Sequence, residues 1–90
     1  MQYPYSEYVS LYKALADETR LKIIQMLSSE ELCACHILEA FNITQPTLSY
    51  HMKILTECGL VKGAKEGSWM KYTLNKERLA LIKEIYDCVK

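Results

Sequence analysis

Cys33 and Cys35, in the run Glu31-Leu32-Cys33-Ala34-Cys35, offer two thiolate ligands separated by a single residue. Soft sulfur donors select soft ions, so the pair is a candidate site for a thiophilic metal or metalloid. The spacing raises a geometric question. Residues two apart on a helix point about 200° away from each other, and on an extended chain they point to the same side. Ser28 and Glu31 have the spacing of a capping box that opens a helix, which places both cysteines in its first turn. An intact first turn cannot aim both thiols at one ion, so binding would have to unwind or distort it. Near a helix N-terminus the dipole lowers thiol pKa. The plainer reading is two small packing residues, since free cysteine is often buried; helical periodicity buries at most one of them.

A second constellation follows directly. Gln45, Thr47, Ser49, Tyr50, His51 and Lys53 crowd the segment after Thr44, and Leu48, Met52 and Leu55 form its apolar stripe. Glutamine pairs with adenine edges and serine or threonine with several bases. Lysine and tyrosine suit phosphates. Lys65, Ser68 and Lys71 add donors further along. His51 is as well suited to half-buried packing as to a nucleic-acid contact. A solvated helix face explains polarity alone, so the elements must decide.

Those elements can be read from period and caps. Tyr8, Leu11, Tyr12 and Leu15 have helical spacing over residues 5–15. Asp17 is an N-cap for a second helix carrying Leu21, Ile24 and Leu27. A third helix opens at Ser28 and buries Ala34, Ile37, Leu38 and Phe41. After a break at Asn42-Ile43, Thr44 caps a fourth helix with Pro46 in its first turn, and Gly59 ends it as a left-handed C′ residue. Met70, Tyr72 and Leu74 then alternate with Lys71 and Thr73, which is strand spacing. Residues 60–65 form the partner strand, with Glu66-Gly67-Ser68 as the turn. Asn75 caps a last helix with a wide apolar stripe. The order α-α-α-α-β-β-α is a mainly α (α+β) winged helix-turn-helix, with the hairpin as the wing packed on the helices. One such domain fills residues 1–90. The third helix leads into the fourth, so chemistry at the cysteines and the geometry of the reading helix compete for the same residues, which is the physical form of a switch.

Composition narrows the function. Ninety residues exclude a two-domain enzyme, and nothing places a base beside a nucleophile. Eleven basic and eleven acidic side chains balance. Residues 1–44 carry three basic and six acidic, and residues 45–74 carry four basic and two acidic. This modest local excess makes specific DNA binding depend on two copies on a two-fold site. A hydrophobic share of 50% is rich for so short a chain and points to a dimer interface. No 18-residue apolar window spans a membrane, and the start lacks a secretory signal. A cytoplasmic protein with reduced thiols is expected.

The sequence resembles the ArsR/SmtB family of metal-sensing winged-helix repressors from about Leu11 to Leu74, most of all its arsenical-sensing members. Ala14-Leu15-Ala16-Asp17-Glu18-Thr19-Arg20-Leu21 is similar to the family's second-helix start. Glu31 to Cys35 resembles its metal box, and Thr44 to His51 its recognition helix. The resemblance implies a homodimer joined through the first and last helices that represses an efflux operon from double-stranded operator DNA. No cofactor is required, and As(III) or Sb(III) on Cys33 and Cys35 acts as the inducer. Some arsenic sensors carry a third cysteine where Leu38 stands here. That leaves the third ligand open among Cys88, Cys58, a small thiol and water. His36 reads as a surface or capping residue, Cys58 as packing and Cys88 as an inert thiol. A Cd, Pb or Zn response and a thiol-redox response on the same fold are the alternatives.

Overall fold

The computed structural model describes residues 1–89. The chain forms α1 (Tyr5–Leu15), α2 (Glu18–Met26), β1 (Leu32–Cys33), α3 (Ala34–Glu39), α4 (Gln45–Glu57), β2 (Val61–Glu66), β3 (Trp69–Leu74) and α5 (Lys76–Leu79). A 3₁₀ turn (Ala80–Ile82) then leads to α6 (Lys83–Val89). The caps follow local chemistry. Asp17, Thr44 and Asn75 each hold extended backbone and accept from the N–H three residues on: Arg20, Thr47 and Arg78. Gly59 follows α4 with φ 87°, the left-handed conformation that side chains disfavour.

Two expectations are corrected. The third helix does not open at Ser28. The Ser28 hydroxyl donates back to Gln25 O at 2.6 Å, finishing α2, and no capping box forms. The helix begins at Ala34 with Cys33 as its N-cap at φ −81° and ψ 158°. The two residues before it extend as a third strand, so the sheet has order β1-β3-β2, all antiparallel. Leu32 pairs Tyr72 and Cys33 pairs Lys71. The last helix is also broken: the tighter 3₁₀ turn at residues 80–82 places Leu81 in the core between α5 and α6.

The core gathers Tyr8, Leu11 and Ala14 of α1, Ile23 and Ile24 of α2, Ile37 of α3, Leu48, Met52 and Leu55 of α4, and Leu60 and Val61 entering the wing. The wing turns at Gly67, φ 61°. A positive φ at the first turn position is what a two-residue hairpin loop asks of glycine. Asp17 gives a simple test of the capping account. The Arg20 N–H, helped by the Arg20 charge, lowers its pKa against the opposing effect of partial burial. A lowered folded pKa contributes stability that is present above the unfolded value and lost as pH falls through the folded one. Asp17→Ala therefore costs about 1 kcal/mol at pH 7. The gap between variant and parent narrows as pH falls below about 4, as urea unfolding at pH 7 and pH 3 would show.

Candidate thiolate site and nucleic-acid face

The β1–α3 junction changes what the cysteine pair can do. Cys33 is still on extended chain and Cys35 is already in the first turn, so the opposition expected of two helical residues does not arise. The sulfurs of Cys33 and Cys35 and a ring nitrogen of His36 lie within 4.8 Å of one another. Cys33 Sγ is 3.2 Å from His36 Nδ1. The two thiols therefore already stand near one another rather than on opposite faces of a helix. Among the described residues this is the cluster of three or more such ligands that close. Cys33 is buried; Cys35 and His36 are exposed.

The two thiols differ in acidity. The Cys35 thiol donates to Cys33 and lowers its pKa, against burial, with further help from the first-turn N–H groups of His36 and Cys35. Cys35 is raised, first because its proton is held by Cys33. Cys33 is thus the readier thiolate, and the thiolate is the species that binds metals. A cleft of about 450 Å³ opens over the pair, walled by Glu31, His36, Trp69 and Lys71. Lys71 Nζ sits 2.9 Å from Glu66 and 3.8 Å from Glu31, and the Glu66 carboxylate raises its pKa. Lys71, expected on a DNA contact, is engaged with both carboxylates across the mouth of the cleft. Cys58 caps α4 and donates to Leu55 O at 3.4 Å. Cys88 is exposed on α6. Neither belongs to the cluster, and Leu38 is packed against the core.

The helix-turn-helix is α3, the linker 40–44 and α4. Helix α4 buries Leu48, His51, Met52 and Leu55 and leaves Gln45, Thr47, Ser49, Tyr50 and Lys53 exposed, with Lys65 exposed on the wing. His51 does not share that face. It is 8% exposed, and its Nδ1 lies 3.0 Å from an Arg20 guanidinium nitrogen. Arginine has only donors, so Nδ1 accepts. The same guanidinium donates to Ala14 O at 2.6 Å and Lys13 O at 3.4 Å. Arg20 therefore ties the end of α1 and the start of α2 to the middle of α4. Sequence reasoning missed it because a lone arginine in a helix's first turn has no periodic signature.

Comparison with known proteins agrees with this geometry. The family described as "Bacterial regulatory protein, arsR family" matches residues 17–62. The arsenical resistance operon repressor of Staphylococcus xylosus is 45% identical over 85 residues, covering 94% of this chain and 82% of that protein. A cadmium resistance transcriptional regulatory protein CadC homolog of Staphylococcus aureus is 37% identical over 75 residues, covering 82% and 62%. An ArsR family transcriptional regulator of known crystal structure has the same fold, with a TM-score of 0.87 at 21% identity over 90% of this chain and 89% of that one. These relatives are regulators and not enzymes, and among the described residues no helix is long and apolar enough to cross a membrane. The chain belongs to the ArsR family of winged helix-turn-helix, DNA-binding transcriptional repressors.

Proposed function

We propose that the protein is an arsenite- and antimonite-responsive repressor that leaves its operator when As(III) binds Cys33 and Cys35. The observation that carries this reading is the convergence of the two sulfurs at a junction shared by the wing and the helix-turn-helix. Each thiol displaces one hydroxyl of As(OH)₃ as water, forming two As–S bonds with arsenic still trivalent. The junction is the first turn of α3, which leads into α4, and β1 is hydrogen-bonded to wing strand β3. Drawing the sulfurs onto one atom moves both DNA-contacting elements together, and this differential geometry is the coupling.

The DNA-bound form is a homodimer in the cytoplasm, one domain of residues 1–90 per half-site, with no cofactor needed for binding. Tyr5, Val9 and Tyr12 of α1 and Tyr86 and Val89 of α6 are exposed, an apolar surface suited to a two-fold interface through the first and last helices. On DNA, Gln45, Thr47 and Ser49 face base edges; Tyr50, Lys53 and Lys65 face phosphates. Gln45→Ala costs about 1–3 kcal/mol and relaxes one base position, and Lys53→Ala weakens all sequences alike and lowers the salt slope by about 1. Competition binding against single-base operator variants, repeated at several salt concentrations, separates the two.

His36 supports a second reading. Two sulfurs and an imidazole nitrogen suit a thiophilic divalent cation such as Zn²⁺ or Cd²⁺. The test is fluorescence anisotropy on a labelled duplex that the reduced protein selects from a random pool. Arsenite, antimonite, cadmium, zinc and peroxide are titrated separately. Release by about one equivalent of arsenite per protomer is the expected result. Release by cadmium or peroxide with arsenite inert would keep the repressor and replace the signal.

A further inference from the structure

Arg78, in the single turn of α5, reaches three other parts of the chain. Its Nε donates at 3.0 Å to the carbonyl of Cys58, the C-cap residue of α4. A terminal guanidinium nitrogen donates to the Glu7 carboxylate of α1 at 2.5 Å. The guanidinium carbon lies 5.6 Å from the centre of the Tyr3 ring, within cation–π reach. Tyr3 stands edge-on to Tyr8, and the Tyr8 hydroxyl and the Gln2 amide both donate to Glu84 of α6. One side chain thus joins the end of the recognition helix to α1 and, through two tyrosines, to α6. We infer that Arg78 is a positioning residue: it fixes the angle of α4 against the α1–α6 face and thereby sets the half-site spacing that the dimer accepts. The inference rests on the two-fold reading above and names the part that holds the spacing.

The contact differs from an ordinary surface ion pair, which contributes little. The Arg78 side chain is 18% exposed, and its planar fork serves a carbonyl and a carboxylate at once. The C-terminus of α4 carries partial negative charge that favours a cation. Gly59 makes the approach possible: a Cβ there would stand 3.2 Å from Arg78 Nε, so the residue whose left-handed backbone ends α4 also leaves room for the guanidinium. The Asn75 N–H donates to Leu60 O at 2.8 Å and laces the same corner. Arg20 holds the middle of α4 through His51, and Arg78 holds its end. Two ties fix a direction where one leaves a pivot. Direction matters on DNA, because moving one half-site by a single base pair turns it about 35° around the duplex. A recognition helix held at both points cannot follow that turn, and one free to pivot can.

The test uses the reduced chain and the labelled duplex that it selects from a random pool. Beside it are duplexes with the half-sites one base pair closer or further apart, and a duplex with a single half-site. Competition anisotropy reads all four, and sedimentation reads the oligomeric state. Parent binding is expected to fall roughly tenfold on either shifted duplex. In Arg78→Gln, binding to the selected duplex falls roughly tenfold, the order of one lost charge-assisted hydrogen bond, and the shifted duplexes bind within about threefold of it. Binding to the single half-site is unchanged. Glu7→Ala gives the same flattening and leaves the bond to Cys58 O in place. Glu7 lies on the opposite side of α1 from Tyr5, Val9 and Tyr12, so the apolar surface is kept and both variants sediment as the parent does. An arginine needed for stability alone would weaken every duplex by one factor. That result, or an unchanged spacing profile in either variant, overturns the inference and leaves the two-fold repressor standing. A parent indifferent to spacing, or one that sediments as a monomer on the selected duplex, overturns the two-fold reading and the inference with it.

Discussion

Cys33→Ser raises the arsenite concentration needed for DNA release by roughly 100-fold or more, and leaves DNA binding without arsenite close to that of the parent. Losing groups that merely orient a ligand costs 10–100-fold in metal affinity, so losing one of two sulfur ligands costs at least the upper end. The fold is expected to tolerate the change. Cys33 is the N-cap of α3 with extended backbone, a position where serine is among the preferred residues. Its pairing with Lys71 uses main-chain atoms, which serine keeps. Cys35→Ser gives the same loss of response, since it removes the other sulfur of the pair. Cys58→Ser and Cys88→Ser serve as comparisons and retain the response, since neither sulfur lies in the cluster. Anisotropy titrations of the four variants on one duplex read all of this. An unchanged midpoint in Cys33→Ser would remove the site assignment.

Arg20→Ala is expected to cost about 2–3 kcal/mol of folding stability. The guanidinium satisfies Ala14 O and Lys13 O at the end of α1 and His51 Nδ1 on α4. Without it, a buried imidazole nitrogen and a carbonyl lose their partners, and each unsatisfied group costs about 1–3 kcal/mol. In a domain of this size that shifts the melting temperature by roughly 10 °C. Arg20→Lys does not rescue it, since one ammonium cannot reproduce a planar fork serving three acceptors on two elements. The double-mutant cycle with His51→Phe isolates the part that anchors the recognition helix. A coupling near zero by urea unfolding would show that Arg20 acts only on α1. DNA affinity should fall with the coupling, because α4 then loses its polar tie to α1 and α2.

These two residues also mark where the sequence could and could not be read. The caps at Asp17, Thr44 and Asn75, the left-handed Gly59 and the wing turn at Gly67 were legible because each is fixed by a few adjacent residues. The exposed row Gln45, Thr47, Ser49, Tyr50 and Lys53 was legible because helical period decides it once the apolar stripe is known. Strand β1 was not. It is two residues long and exists through pairing with residues about forty positions away, Leu32 with Tyr72 and Cys33 with Lys71. Local capping chemistry at Ser28 argued for a helix, and the sheet overrode it. That single difference converts two thiols expected to diverge into two that converge. The partners of His51 and Lys71 were not legible either: Arg20 reaches His51 from another helix, and Glu31 joins the nearer Glu66 beside Lys71.

The central claim is that the ligand-binding event and the loss of DNA are one event at Cys33 and Cys35. It is tested most directly by following both in one cuvette. Arsenite is titrated into the protein bound to labelled duplex while arsenic–thiolate absorbance in the near ultraviolet and fluorescence anisotropy are recorded together. The two signals should move in proportion and end at the same stoichiometry, one arsenic per protomer. Thiolate absorbance that saturates with the duplex still bound, or release that begins without it, would contradict the account.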